Sequence, residues 1–175
     1  IVLIPARMAA ARLPGKPLAE IGGAPMIVRV MRQALVADIG PVVVAAADAE
    51  IADAVTAAGG RAVLTDPDLP SGSYRILAAL SEVDPSATHD AVINVQGDMP
   101  FVSPDTVRAC AELLARTDCD ISPVVAPEAA PSDRANPDVV KAILALEPDG
   151  RSGRALYFTR SALYGEVPVL RHIGI

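Results

Sequence analysis

The stretch IVLIPARMAAARLPGKPL, residues 1–18, decides the fold of this 175-residue chain. Its first four residues are all apolar, as in a strand that is buried on both faces of a parallel sheet. We expect this strand to break at Pro5 and a loop to follow, carrying Arg7, Arg12 and Lys16 with no acidic residue among them. The loop therefore predicts a local patch of positive charge.

A helix is predicted to follow this loop. Its pattern begins near Pro25 and places five apolar residues on one side, namely Met26, Ile27, Val30, Met31 and Leu35. A strand, a cationic loop containing glycine and a helix are typical of α/β proteins that bind phosphates at the carboxyl ends of their strands. The loop matches neither the Walker A pattern nor the dinucleotide-binding turn, and a solvated surface loop is the alternative interpretation.

The remaining apolar runs alternate with helical patterns. They predict strands at 1–4, 41–46, 61–64, 91–95 (a central strand), 121–126, 139–146 and 155–158. Alternation of this kind predicts an α/β fold with a mostly parallel central sheet flanked by helices. The last two strands are separated by a Pro-Asp-Gly turn and are predicted to form an antiparallel extension.

The composition of the chain limits the classes of binding partner and the cellular location that we expect. The formal net charge is −6 and only 3% of the residues are aromatic, which argues against a nucleic-acid partner. No apolar run approaches the ~20 residues that a membrane-spanning helix needs. No signal peptide precedes the first strand, so the cytoplasm is the expected location. At 175 residues, we expect a single domain, 1–175.

A carboxylate is predicted at the same edge of the sheet as the cationic loop. Gln96-Gly97-Asp98 leaves the strand at 91–95 where ligands bind in α/β proteins. Magnesium (Mg²⁺) prefers one or two carboxylates together with phosphate oxygens and water, so Asp98 is a candidate metal ligand. A turn aspartate that accepts backbone hydrogen bonds is the alternative.

A further helix is predicted to start at Ser71-Gly72-Ser73, where free backbone amides could receive an anion or the edge of a base. A helix N-cap without a ligand is the alternative.

Several motifs resemble one known family. Pro5-Ala6-Arg7 with 12–18, and Gln96-Gly97-Asp98, are similar to the signatures of the cytidylyltransferases that activate acidic sugars, most closely the branch that uses 3-deoxy-manno-octulosonate (Kdo). The resemblance implies a Rossmann-like nucleotide-diphospho-sugar transferase fold. It also implies magnesium-dependent transfer of CMP from CTP to a 2-keto sugar acid, with release of pyrophosphate, for lipopolysaccharide biosynthesis.

The resemblance implies a role for each matching residue. The catalytic residues would be Arg7, Arg12, Lys16 and Asp98, of which Asp98 holds magnesium. Nucleotide binding would fall to Pro5, Ala6, Arg7, Arg12, Lys16, Ser71, Gly72, Ser73, Arg75 and Gln96. Sugar binding would fall to Gln96, Lys141, Arg160 and His172. The resemblance further implies a homodimer, and a C-terminal third beyond residue 175 that carries a second magnesium aspartate.

Four positions depart from the family's usual residues: Ala11, Ala47, Leu69 and Tyr74. Asp48 is a candidate substitute for the aspartate that is usual at position 47. Two alternatives therefore stay open beside the Kdo enzyme. One is a CMP-sialate synthetase or another sugar nucleotidyltransferase of the same fold, and the other is a non-catalytic nucleotide-binding relative.

Overall fold

The computed structural model describes residues 1–9, 13–116, 119–127, 130–165 and 169–175. The chain forms two compact units, the first comprising Ile1–Ser122 with Gly174–Ile175 and the second Pro123–Ile173. The single nucleotidyltransferase domain stays a prediction. In the part of the chain that the structure describes, no helix is both long and apolar enough to cross a bilayer.

The first unit is built on a parallel sheet. Its strands are β1 (Val2–Ala6), β2 (Val42–Ala46), β3 (Arg61–Leu64) and β4 (Ile93–Asn94), in the order β3-β2-β1-β4. The helices are α1 (Met26–Ala37), α2 (Ala49–Ala57), α3 (Gly72–Val83) and α4 (Pro104–Arg116), and a short 3-10 helix covers Lys16–Leu18. The alternation of strands and helices confirms the predicted α/β architecture.

The two faces of this sheet pack against different helices. Val2 and Ile4 of β1 face a core that includes α1, α2 and α4, whereas Leu3 faces a second core that contains Ile76 of α3. All five residues of β1 are buried, as the continuous apolar run predicts. Burying one such aliphatic side chain contributes about 1.5–3 kcal/mol, so helices on both faces hold β1 in place.

The predicted break at Pro5 is wrong, because β1 continues through this residue. The Leu3 carbonyl accepts a hydrogen bond from the Val95 amide, on the β4 side of β1. Backbone groups two residues apart in a strand point to the same side, so the nitrogen of Pro5 also faces the β4 side. The register of β1 with β4 ends at Leu3 and Asn94. The missing N–H of Pro5 therefore removes no hydrogen bond from the sheet.

The strand at 91–95 is shorter than predicted, and among the assigned strands it lies at the end of the sheet rather than in its centre. Beyond it, the Gln96 amide donates to the Gly174 carbonyl at 3.1 Å. The backbone just after β4 is therefore paired with the segment around Gly174 and not with a further strand of the sheet.

Two further sequence predictions are corrected. Leu35 of α1 is 49% exposed, and Ala34 is buried in its place because the spacing from Ile27, Val30 and Met31 continues to Ala34. The strand predicted at 121–126 begins only at Val125, and Ile121 is 81% exposed.

The second unit contains an antiparallel sheet. Its strands are β5 (Val125–Pro127), β6 (Lys141–Leu146), β7 (Gly153–Thr159) and β8 (Leu170–His172), in the order β5-β8-β6-β7. The pairing of β6 with β7 across the Pro-Asp-Gly turn confirms the predicted antiparallel pair.

Asp84 ends α3 with a dense set of hydrogen bonds. Its carboxylate accepts from the Thr88 amide at 2.8 Å, the Thr88 hydroxyl at 2.7 Å and the His89 amide at 2.9 Å. These donors, with the Thr88 amide first, lower the pKa of Asp84 from its ordinary value of 3.8.

We expect Asp84→Asn to lower the melting temperature near neutral pH. This decrease in melting temperature is expected to become smaller as the pH falls below the ordinary pKa of aspartate. A folded-state pKa below the unfolded value stabilises the fold fully above the unfolded pKa, and this stabilisation is lost as pH falls through the folded pKa. Thermal melts over a pH series measure the difference. Glu82→Gln, an exposed change on the same helix, is the control, and an equal effect of both variants at every pH would contradict the assignment.

Candidate functional site

A pocket of about 310 Å³ opens at the carboxyl ends of β1 and β4 in the first unit. Three segments of the chain line it: Pro5, Ala6, Arg7, Lys16 and Pro17; Leu69, Ser71, Gly72 and Arg75; and Gln96, Gly97 and Asp98. The structure thus brings together most of the residues that were predicted to bind the nucleotide. Ser73 lies exposed in the first turn of α3 and does not line the pocket, and Arg12 lies outside the described residues.

The cationic loop meets the predicted metal ligand directly. Lys16 Nζ lies 2.7 Å from Asp98 Oδ2, with side chains that are 32% and 56% exposed. Gly15 makes the turn that presents Lys16, since its φ of 73° lies in the left-handed region that favours glycine. The Gly15 amide donates to the Met8 carbonyl, which closes the loop on itself.

Arg75 forms one wall of the pocket and is only 2% exposed. Its guanidinium donates to the Thr65 hydroxyl at 2.5 Å and to the carbonyls of Asp66 and Pro67 at 3.0 and 3.3 Å. Burial, and secondarily the charge of Arg7, lower the pKa of Arg75 from its ordinary value. Arg75 therefore ties the loop before α3 to the helix itself, and its charge is held beside that of Arg7.

The start of α3 supplies backbone donors to the pocket. Ser71 is the N-cap residue, and its hydroxyl accepts from the Tyr74 amide at 3.4 Å. The first amides of a helix have no partner within the helix, and its dipole favours an anion there. Leu69 lines the pocket at the position where the family usually has histidine, whereas Tyr74 is exposed and does not line the pocket.

Two glycines allow the segments of the pocket to approach one another at Pro5. A Cβ atom at Gly97 would lie 2.5 Å from the Pro5 carbonyl oxygen, a distance shorter than Cβ atoms in proteins adopt. A Cβ atom at Gly72 would lie 3.3 Å from Pro5 Cγ, which is tight but not prohibitive. The absence of a side chain at Gly97 is thus what lets Asp98 reach the cationic loop.

Gln96 is held from two directions. Its side-chain amide donates to the Asn94 side chain at 3.3 Å, and Gly174 packs so closely that a Cβ there would lie 2.8 Å from Gln96 Cγ. These contacts fix the orientation of the side chain at the pocket wall.

The other predicted sugar-binding residues lie in the second unit. Lys141 is fully buried, and its ammonium donates to the carbonyls of Asn136 at 2.8 Å and Arg160 at 2.9 Å. The exposed Arg160 donates to the carbonyls of Pro137 and Asp138. Lys141 thus holds the backbone that carries Arg160.

His172 also belongs to this unit, where its ring packs edge-to-face against Phe158 with centroids 5.8 Å apart. Sugar binding by Lys141, Arg160 and His172 stays a prediction.

The donor set at Asp98 suits a hard cation that also binds a phosphorylated ligand. Within the described ranges, no group of three or more His, Cys, Asp or Glu side chains could hold a metal ion. Magnesium needs only one or two protein carboxylates when phosphate oxygens complete its shell, and the exposed Asp98 fits that requirement.

Asp48 is the residue of this region that the sequence identified least clearly. The sequence suggests it only as a substitute for an aspartate at position 47. In the structure its Oδ2 accepts from the Met8 amide at 2.8 Å, within the cationic loop. A short polar residue directly after a buried strand is the sequence signal, but it does not reveal which loop is contacted.

Comparisons with known proteins agree with this geometry. The family model described as "Cytidylyltransferase" matches residues 1–166. A 3-deoxy-manno-octulosonate cytidylyltransferase of Rhodospirillum centenum is 57% identical over all of this chain and 68% of its own length. The enzyme of the same description from Parvibaculum lavamentivorans is 56% identical, with the same coverage.

Two solved structures are similar to this chain in fold. The structure of CMP:2-keto-3-deoxy-manno-octonic acid synthetase complexed with CTP matches 99% of this chain and 71% of its own, with 33% identity and a TM-score of 0.82. A nucleotidyl transferase from Methanothermobacter matches 81% of this chain with 24% identity and a TM-score of 0.54, which supports the fold alone.

We expect Gly97→Ala to disturb the pocket more than Gly72→Ala, although both residues pack on Pro5. At Gly97 the new methyl group meets a backbone oxygen that cannot rotate away, and overpacking of this kind costs roughly 1–3 kcal/mol. At Gly72 a small displacement suffices, and alanine favours the helix. Thermal melts and calorimetric titration with CTP measure both effects. Equal losses in the two variants would contradict the proposed role of the Gly97 contact.

Proposed function

This chain belongs to the cytidylyltransferase family, and from that premise we propose that it transfers CMP from CTP to the anomeric hydroxyl of Kdo, releasing pyrophosphate. The observation that carries the proposal is the meeting of Lys16 and Asp98 at 2.7 Å in a pocket at the carboxyl edge of a parallel sheet. The short distance supports the proposal that Lys16 binds phosphates and that the neighbouring Asp98 binds a divalent metal. The resulting CMP-sugar is suited to lipopolysaccharide biosynthesis.

The nucleotide would lie with its phosphates against the cationic loop. Arg7 and Lys16 line the pocket, and Arg12 is proposed to join them from outside the described residues. The amides at the start of α3 add hydrogen-bond donors beside them. The protein contributes little covalent chemistry to such a transfer, so positioning and charge neutralisation carry the reaction.

In the reaction, the anomeric oxygen of the sugar attacks the α-phosphorus of CTP in line with the departing pyrophosphate. The hydroxyl proton is released, one P–O bond forms and another breaks. Negative charge grows on the pyrophosphate, and preorganised cations such as Lys16 offset this charge more strongly in the transition state than in the ground state.

Magnesium dependence is part of the proposal, with Asp98 as the protein ligand. When bound, the ion supplies charge neutralisation at the phosphates. Asp98 is the residue that would hold the ion, and its carboxylate lies 2.7 Å from the Lys16 ammonium.

Gln96, Arg160 and His172 are proposed to bind the sugar acid. Gln96 lines the pocket, and a guanidinium such as that of Arg160 matches the planar geometry of a carboxylate. Lys141 is fully buried, which favours a supporting role through the Arg160 backbone. A homodimer and a cytoplasmic location are proposed with this function.

The names of the relatives favour Kdo over sialic acid as the substrate. The non-catalytic alternative rests on the departures at Ala11, Ala47, Leu69 and Tyr74. Of these, Leu69 lines the pocket. Leucine cannot make the polar contact to the nucleotide that the usual histidine could make, but Arg7, Lys16 and Asp98 still line the pocket.

We expect the full-length protein to release pyrophosphate from CTP only when both Kdo and magnesium are present. Coupled assays with Kdo and sialic acid, each with CTP, UTP, ATP and GTP, test the substrates. Asp98→Asn is expected to abolish turnover without unfolding the protein, because it removes a hard-cation ligand at nearly constant shape. CTP binding without pyrophosphate release for any sugar acid would instead support the non-catalytic alternative.

We expect Lys16→Ala to reduce turnover more than CTP binding, with roughly 2–4 kcal/mol of transition-state stabilisation lost, as when one preorganised donor is deleted. Lys16→Arg is expected to rescue only part of the activity, because a planar guanidinium does not replace a compact ammonium in a tight turn. Steady-state kinetics with CTP varied measure the effect. Arg61→Ala, at the start of β3 and outside the pocket, is the control; equal behaviour of Lys16→Ala and Arg61→Ala would rule out this role.

A further inference from the structure

Asp48 occupies the N-cap position of α2 but does not use its side chain there. Its backbone is extended, and its carboxylate makes no capping hydrogen bond to the helix. The Asp48 carbonyl instead accepts from the Ile51 amide at 3.2 Å and the Ala52 amide at 3.3 Å. An aspartate at this position ordinarily caps its own helix, so the Asp48 carboxylate must interact with another part of the chain.

The carboxylate contacts the loop that follows β1. Asp48 Oδ2 accepts from the Met8 amide at 2.8 Å, and the neighbouring Ala47 amide donates to the Ala6 carbonyl at 2.9 Å. Ala6 and Met8 are the residues on either side of Arg7. The turn between β2 and α2 therefore fixes the backbone of Arg7 from both sides.

Asp48 also offsets the repulsion between two arginines. Burial and, secondarily, the charge of Arg7 lower the pKa of Arg75, whereas Asp48, with Asp66, opposes that shift and favours the charged guanidinium. Across the described parts of the chain, no carboxylate forms an ion pair with Arg7. Asp48 thus provides negative charge near the arginines while the Arg7 guanidinium, which lines the pocket, remains available to an anion.

We propose that Asp48 is a positioning residue of the phosphate-binding pocket, which acts by holding the Met8 amide and thereby orienting Arg7 toward the nucleotide. The inference rests on the proposed function for the identity of that nucleotide, CTP. It assigns to Asp48 a hydrogen bond that alanine cannot make and that asparagine can, because an amide oxygen also accepts from a backbone N–H.

A double-mutant cycle with Arg7 tests this proposal. Asp48→Ala is expected to weaken CTP binding about tenfold, as expected for the loss of one well-placed hydrogen bond. Asp48→Asn is expected to stay within about threefold of the original protein, because the acceptor is retained. In an Arg7→Ala background, Asp48→Ala is expected to change CTP binding less than about twofold, since its effect passes through Arg7.

Calorimetric titration with CTP is the primary measurement, and thermal melts establish that each variant is folded. Asp53→Ala, on the exposed side of the same helix, is the matched control and is expected to bind CTP normally. If Asp48→Ala does not fold, the comparison of Asp48→Asn with the original protein still decides, because a tenfold loss in this variant would overturn the hydrogen-bond role.

Equal effects of Asp48→Ala with and without Arg7, or normal CTP binding by Asp48→Ala, would also overturn the proposal. Its failure is distinguishable from failure of the proposed function. A protein that binds CTP but releases no pyrophosphate with any sugar acid contradicts the function and leaves the cycle intact. A protein that binds no CTP contradicts both.

Discussion

The close approach of Gly97 to the Pro5 carbonyl is the constraint on which the pocket depends. Gly97 lies three residues beyond the end of β4, and a Cβ atom there would lie 2.5 Å from the Pro5 carbonyl oxygen, so no side chain fits between the two residues. Pro5 tolerates this contact because its missing N–H falls beyond the register of β1 with β4, and the start of α3 packs on its ring from Gly72. One proline thus receives both the carboxylate segment and the helix N-terminus that complete the pocket.

Charge is distributed unevenly around this contact. The chain carries a formal net charge of −6, yet its pocket is lined by Arg7, Lys16 and Arg75 against the single carboxylate of Asp98. Arg75 is buried among carbonyl and hydroxyl oxygens rather than acids, so its positive charge is not cancelled by direct contact. An acidic protein thereby carries a locally cationic pocket, which is the charge that a polyanionic ligand requires.

The sequence predicted the elements that depend on local pattern, and it failed where tertiary contacts decide. Continuous apolar runs correctly predicted the strands β1 and β2. The glycine-containing cationic loop indicated Lys16 as a binding residue. Both inferences need only the residues of one short segment. Pro5 was wrongly predicted to end its strand, since the neighbour that its nitrogen faces is specified more than eighty residues later. The reach of Asp48 across to Met8 was likewise not predictable, because many side-chain directions are compatible with the same turn.

The pair formed by Lys16 and Asp98 is not explained by a contribution to stability. Both side chains are partly exposed, and exposed ion pairs contribute about 0–1 kcal/mol to folding. A pair of this kind adds little to folding, so neither charge is committed to holding the structure together. The contact therefore places two opposite charges in the pocket lining without the fold depending on them.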